Sequence, residues 1–483
     1  MLARAFSLAF VIASVFAGAT HAASVPTLVP TVNGTALAGW ADVQKAWLAV
    51  QKLPDSGAWD RLAEMTDTFG PRKIGSVGYA NSLKWLSDKL RADGLKVTNP
   101  AVPNNPTWHR GAESLTLNSQ PNRPNFGIPI LALGSSIPTP KSGITAPVVP
   151  VASLAELNTT DVRGKIVLVN YPWTGYGAAS RIRSRAAITA QDFGAKAVII
   201  RSATPVSQRT PHTGLSRRAK IPSAAISPED ANLLHRLYNR SRIDAHKYPA
   251  PVVTLNLAST YRNETTHNLF ATLEGHTEPK EIVIIGGHLD SWDVGSGAGD
   301  DAANLFAAWE SIRLIQKAGI KLKRSIRLAG WADEESGSAG AAEYIKYVQN
   351  ETKKPHGERH VFAIEADFGI ARPTGLGVAT DNEAGLKALP LFQAAGTSDS
   401  FISSKGWGVV EGGDYAEADV SFLDDIGVPV AAPTTAMTSD RYFAFHHSQG
   451  DTVEVVNRDE LFMNAQAIAF WAIVASKLDV SWI

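Results

Sequence analysis

Apolar residues along this chain change their spacing several times. Between residues 37 and 94, "LAGWADVQKAWLAVQKL", "AWDRLAEMTDTFG" and "VGYANSLKWLSDKLRADG" place them three and four apart, the spacing of amphipathic helices. The third stretch ends at Gly94, a residue suited to a helix C-terminus. "LKVTNPAVP" and "SLTLNS" then read as strands. Pro, Gly and Ser crowd residues 120–150, which predicts a boundary or an irregular crossing. Beyond it come a strand in "GKIVLVNY", a helix in "AASRIRSRAAITAQDFGA", a strand in "KAVIIRS" and the segment "KIPSAAISPEDANLLHRL". These make a small α/β unit over roughly 120–258.

From residue 266 strands and helices alternate. "HNLFATLEG", "EIVIIGGHLD", "RSIRLAGWAD" and "HVFAIEADFG" are strands; "DAANLFAAWESIRLIQKAG", "SAGAAEYIKYVQN" and "RDELFMNAQAIAFWAIVASKL" are helices. Continuous apolar strands separated by helices predict an α/β fold: a mostly parallel, mixed sheet sandwiched by helices. Sheets of this kind carry their chemistry just beyond the carboxyl ends of the strands.

Composition narrows the picture. The 483 residues suit two or three domains, and Lys+Arg equals Asp+Glu at 46 each, so the whole-chain charge gives no reason to expect nucleic acid or an anionic membrane as partner. At the N-terminus, Arg4, the apolar run "AFSLAFVIASVFAGA" and small residues at Thr20 and Ala22 predict a signal peptide over 1–22. The mature protein is then extracytoplasmic, secreted or periplasmic, with no membrane attachment after cleavage. Cysteine is absent, which removes thiolate metal sites and cysteine nucleophiles.

The residues that follow each strand carry the chemistry. The first core strand delivers His288, Asp290 and, across a glycine-rich turn, Asp300 and Asp301. "SIRLAGWA" leads to Asp333, Glu334 and Glu335; "VFAIEA" to Asp367; "YFAFHHSQGDT" brings His446 and His447. Each piece alone is ordinary: His-x-Asp is common, "DD" before "AANL" also suits a helix start, and "HH" also suits a core histidine beside an exposed one. Four such clusters at successive strand ends are not ordinary. That many buried charges would each cost several kcal/mol unless compensated. Oxygen and nitrogen donors without sulfur fit zinc, with cobalt or manganese as substitutes, and their number fits a pair of ions about 3.5–4 Å apart.

The motifs "GGHLDSWDVGSGAGDD", "ADEESGSAGA", "EADFG" and "YFAFHHSQGDT" resemble the co-catalytic dizinc metallopeptidases. That family includes bacterial double-zinc aminopeptidases and glutamate carboxypeptidase II; "HLDSWD", "ARPTGLG" and "YFAFHHS" look closest to its carboxypeptidase Q branch. The resemblance implies a zinc exopeptidase-like domain built from 23–119 and 259–483, with 120–258 inserted as a protease-associated domain. It implies two Zn²⁺ per chain. His288 and Asp367 would hold one and Glu335 and His447 the other, while Asp300 bridges both. Glu334 would be the general base and Asp290 would orient the His288 ring. His447 is preferred to His446 because it stands four residues before Asp451, as in the family pattern. The activity implied is hydrolysis of dipeptides or short peptides, and dimerisation is implied by the resemblance alone. An aminopeptidase shares the same metal site, and a non-catalytic, receptor-like homologue would lack part of the ligand set. Arg441 and Tyr442 are candidates to meet a substrate carboxylate; Glu411 or Asp414 would suit a substrate amine.

Overall fold

The computed structural model describes residues 29–478 apart from 119, 121, 122 and 417. The expected signal peptide, 1–22, lies outside them. Two eight-stranded sheets organise the described chain.

The first sheet runs in the order Val409–Gly413, Pro373–Ala379, Val430–Thr435, Arg359–Glu365, Glu278–His288, Arg324–Trp331, Leu269–Leu273, Lys96–Thr98. Its centre is parallel: Glu278–His288 pairs in parallel with both Arg324–Trp331 and Arg359–Glu365, and the latter with Val430–Thr435. Antiparallel strands close one side, as Leu269–Leu273 pairs with Arg324–Trp331 and with Lys96–Thr98. The central strands are buried on both faces, which is why they read as unbroken apolar runs. One face is covered by the helices Trp40–Val50, Ala58–Phe69, Val77–Ala92, Ala303–Lys317 and Arg458–Lys477, whose apolar residues join a single core with the sheet. The helix Ala339–Glu351 covers part of the other face through Tyr344 and Val348. No helix of the described residues is long and apolar enough to cross a membrane.

The second sheet belongs to the inserted unit. Its parallel core is Ile144–Val151, Ile166–Val169, Ala197–Arg201 and Ser223–Ile226. The helices Tyr176–Asp192 and Pro228–Ile243 pack on its two faces. Two features differ from expectation. Residues 120–150, read as an irregular crossing, contain the strands Phe126–Ile128 and Ile130–Ala132 and the start of Ile144–Val151. Glu113–Leu117, on the near side of the expected boundary at 120, pairs with Val252–Leu257 in this second sheet. Short prolyl and glycyl strands carry too little periodicity to be recognised singly.

An antiparallel ribbon, Ala101–His109 against Thr260–His267, joins the two units. They also share a core. Trp292 and Val294, on the loop after Glu278–His288, pack with Trp108 of the ribbon and with Ile130, Ala224 and Leu255 of the insert. Gly134 permits this approach, because a Cβ there would stand 2.4 Å from the Trp292 ring. Beside it, Arg110 grips Asp293 with two hydrogen bonds, Nε to Oδ2 at 2.8 Å and a terminal nitrogen to Oδ1 at 2.9 Å. A loop of the larger unit is thus buried against the insert. Trp292→Ala, which empties that seat, should lower the unfolding free energy by about 3–5 kcal/mol in chemical denaturation.

Candidate metal centre

The Glu278–His288 strand ends in Gly286-Gly287-His288, and the second glycine is required by space. A Cβ on Gly287 would fall 2.0 Å from Asp301 Oδ2, the atom that accepts the His288 main-chain N–H at 3.1 Å. Asp301 Oδ1 accepts from the Asn304 side chain at 2.6 Å. Both oxygens of Asp301 therefore serve the turn. No side-chain cap bond is made at the start of the Ala303–Lys317 helix, so capping is not what the paired aspartates do. The peptide bond between Asp300 and Asp301 is cis.

Asp300 faces the other way. Its Oδ1 lies 3.2 Å from His288 Nε2 and its Oδ2 lies 3.3 Å from His447 Nε2. One carboxylate thus stands between two imidazoles and offers each a separate oxygen. Around this axis, His288 Nε2 is 3.5 Å from Asp367 Oδ1, and His447 Nε2 is 2.9 Å from Glu335 Oε2. The five residues expected as ligands are brought together. Potential donor atoms meet in three mutually close groups: His288, Asp300 and Glu335; His288, Asp301 and Asp367; Asp300, His446 and His447.

His446 competes with His447 on distance alone, since its Nε2 is 3.5 Å from Asp300 Oδ2 and the two rings stack at 3.5 Å. Contact with Glu335 separates them, because it is made by His447. Asp290 contacts the His288 ring, as expected, but through its main chain. Its carboxylate Oδ1 lies 3.8 Å from His288 Nδ1, beyond hydrogen-bond reach. The bond to Nδ1–H is accepted instead by the Asp290 carbonyl oxygen at 2.8 Å, while Asp290 Oδ1 accepts the Glu334 main-chain N–H at 3.1 Å. Asp290 therefore positions His288 through its main chain and Glu334 through its side chain.

The charges of this cluster do not balance among themselves. Burial, aided by the neighbouring Asp367 carboxylate, pushes Glu334 well above the usual carboxyl range, and burial raises Glu335 and Asp367 too. Burial opposes charge on Asp300 as well, yet His446, His288 and His447 hold it well below the ordinary value. Burial likewise opposes charge on His288, but Asp300 and Asp367 hold it protonated well above the usual range. Carboxylates thus outnumber the imidazoles that could neutralise them, a deficit that divalent cations would fill. The donor set, oxygen and imidazole nitrogen without sulfur, fits zinc.

Several contributors were not apparent in the sequence, which had marked Asp451 only by its spacing from His447. Arg72 is fully buried and spends its guanidinium on one loop, with Nε donating to Leu289 O at 2.7 Å and the terminal nitrogens to Ser296 O at 2.6 Å and Gly297 O at 2.7 Å. Asp451 accepts from the main-chain N–H groups of Gly299 at 2.6 Å and Asp300 at 3.2 Å. Trp292 N–H donates to Glu335 Oε1 at 3.2 Å. Nothing in the local pattern "GPRK" marks Arg72; its partners lie more than two hundred residues away.

A cavity of about 380 Å³ opens onto the cluster. Asp300, Glu334, Glu335, Asp367, His446 and His447 border it, together with Phe368, Tyr442 and Phe443. The insert completes the wall with Tyr176, Arg183 and Leu215, and Tyr176 stacks on Phe443 at 4.0 Å. Of the two residues considered for a substrate carboxylate, Tyr442 borders the cavity, whereas Arg441 is exposed and turned to Glu460 at 3.4 Å. Glu411 and Asp414 are exposed and do not border the cavity.

Known proteins share this arrangement of chain. Residues 268–472 match Peptidase family M28, and residues 144–234 match the PA domain. Carboxypeptidase Q of Mus musculus is 35% identical over 451 residues, covering 91% of this chain and 89% of that protein. The chain belongs to peptidase family M28. A crystal structure of a Peptidase M28 precursor from Shewanella amazonensis is similar with a TM-score of 0.80 and 30% identity, over 92% of this chain and 98% of that one. A zinc aminopeptidase from Bacillus subtilis shares the fold, with a TM-score of 0.65, 20% identity and coverage of 89% and 100%. This M28 peptidase is a metallo-exopeptidase with a PA domain inserted into its catalytic domain. Arg72→Met, which leaves three loop carbonyls without their donor, should destabilise it by about 3 kcal/mol or more in denaturant unfolding.

Proposed function

We propose that this M28 peptidase binds two zinc ions and removes residues from dipeptides or short peptides that end in a free carboxylate. The observation that carries the two-ion reading is Asp300, whose two oxygens face His288 and His447 separately. His288 and Asp367 would hold one ion, Glu335 and His447 the other, and Asp300 both. When bound, such a pair supplies Lewis acidity that polarises a peptide carbonyl and makes water acidic enough to attack near neutral pH.

The chain's own residues do the rest. Glu334 borders the cavity, and burial with Asp367 beside it raises its affinity for a proton. It takes the proton of the attacking water and returns it to the amine nitrogen as the C–N bond breaks. Asp290 fixes the main chain of Glu334, so the base is held while its side chain stays free to move the proton. Phe368, Tyr442 and Phe443 give the substrate side chain an apolar wall.

Recognition of a carboxyl terminus rests on Arg183. It is the one lysine or arginine among the described residues bordering the cavity, and it is 7% exposed. Its donors reach Leu215 O at 3.3 Å, Thr213 O at 3.3 Å and Tyr176 Oη at 3.1 Å. A guanidinium has more N–H groups than these contacts use, so donors remain for a carboxylate. The surrounding charge agrees: residues 120–258 hold 17 Lys+Arg against 6 Asp+Glu, while the whole chain is neutral. Carboxypeptidase Q, the name of the mouse relative, denotes removal of this end of a peptide. The signal-like segment 1–22 supports action outside the cytoplasm.

Two measurements test the reading. Glu334→Gln should keep about two zinc ions per chain by elemental analysis yet lower kcat about 100- to 10,000-fold; a variant that turned over normally would remove Glu334 as base. Arg183→Met should raise KM about tenfold or more for dipeptides with a free carboxylate, and leave carboxyl-amidated dipeptides unaffected. Faster hydrolysis of carboxyl-blocked than of amine-blocked dipeptides by the unaltered enzyme would favour an aminopeptidase.

A further inference from the structure

His447 reaches Glu335 and Asp300 from a loop with an unusual main chain. Its φ is +59°, the left-handed region that costs a residue with a Cβ and persists where its surroundings enforce it. The enforcing contacts come from the insert. His212 is 1% exposed, and its ring Nδ1–H donates to the His446 carbonyl oxygen at 2.7 Å. Thr213 N–H donates to the His447 carbonyl oxygen at 2.9 Å. His212 and Ser448 form an antiparallel bridge, so a piece of PA-domain main chain lies against the histidine loop like a strand.

The same segment is tied to the other side of the centre. Thr213 Oγ1 donates to Ala132 O at 2.8 Å and accepts from Arg110 at 3.2 Å. Arg110 grips Asp293, the neighbour of Trp292, whose N–H holds Glu335. Two loops of the catalytic domain, one carrying His447 and one buttressing Glu335, therefore meet through residues 110 and 213.

We propose that His212 is a positioning residue for metal binding: by holding the His446 carbonyl it fixes the backbone from which the His447 ring reaches the centre. This rests on the reading that His447 and Glu335 hold one of two zinc ions. The PA domain then does more than wall the cavity. It completes one half of the metal centre, while the half formed by His288 and Asp367 is built within the catalytic domain. Loss of the His212 donor leaves a buried carbonyl unsatisfied and frees the loop to relax from its left-handed turn. The His447 ring would leave Glu335, and the ion on that side would bind more weakly.

The test compares His212→Ala with His212→Asn, whose side-chain N–H can occupy nearly the same place as the imidazole Nδ1–H. Demetallated full-length proteins are titrated with zinc against a chromogenic chelator, and thermal unfolding of each demetallated protein reports its fold. His212→Ala should retain one zinc at unaltered affinity and bind the other about 10- to 100-fold more weakly, with His212→Asn restoring most of the loss. Unaltered binding of both ions by His212→Ala would overturn the proposal, and so would an equal loss in His212→Asn, which would point to lost packing instead of a lost hydrogen bond. A wild-type protein that bound fewer than two zinc ions would overturn the two-ion reading itself, separately from any difference between the variants.

Discussion

Like charges crowd together in the interior of this protein, and most of its architecture manages that crowding. Asp300, Glu334, Glu335 and Asp367 converge on two imidazoles at the carboxyl edge of a parallel sheet. In a medium that screens poorly, such a group is relieved by protons on some of its members or by cations between them. Every nearby element can be understood as bringing the donors close without letting them repel each other apart. Gly287 clears space for one carboxylate, Asp451 holds the turn of another by its main chain, and Arg72 ties the carbonyls of the intervening loop.

The inserted domain belongs to this arrangement and is not an appendage. Its core accepts Trp292, its loop at His212 and Thr213 lies against the loop of His446 and His447, and its helix Tyr176–Asp192 supplies Tyr176 and Arg183 to the cavity wall. Charge is divided in the same sense. The acids of the catalytic domain concentrate where metal would sit, while the insert carries an excess of basic residues. A peptide approaching the cavity thus meets positive charge on one wall and a metal-binding cluster on the other. Under the proposed function, that polarity would orient a peptide with its carboxylate at one end and its scissile carbonyl at the other.

Legibility in the sequence followed the range of the interactions. The helices of residues 37–94 and the alternation after 266 were readable because each element buries a face at a regular interval. The strands around 126–132 and 373–435 were less so, being short or interrupted by glycine and proline, and stabilised by pairing with distant segments. His288, Glu335 and Asp367, which follow strands, and Asp300 across the turn were legible for a related reason, whereas His447, expected after a strand, follows the short helix Ser439–Tyr442 and a turn and was marked by its motif. In an open parallel sheet the strand end is itself the address of the site, so a local run of apolar residues followed by an acid or a histidine already indicates where the side chain will be delivered.

The sequence by itself therefore settled the kinds of donor, their order along the chain and the fold class that gathers them, since all three follow from local spacing and residue chemistry. Tertiary structure alone decided that Asp290 steadies His288 with a carbonyl oxygen and that Arg72, Arg183 and His212 lie around the site, and it set His447, already preferred by its spacing to Asp451, against Glu335. These are choices of an ångström or so between groups whose partners lie far away in the chain. A distance of that kind is fixed by how whole layers pack, and no short stretch of residues carries a record of it.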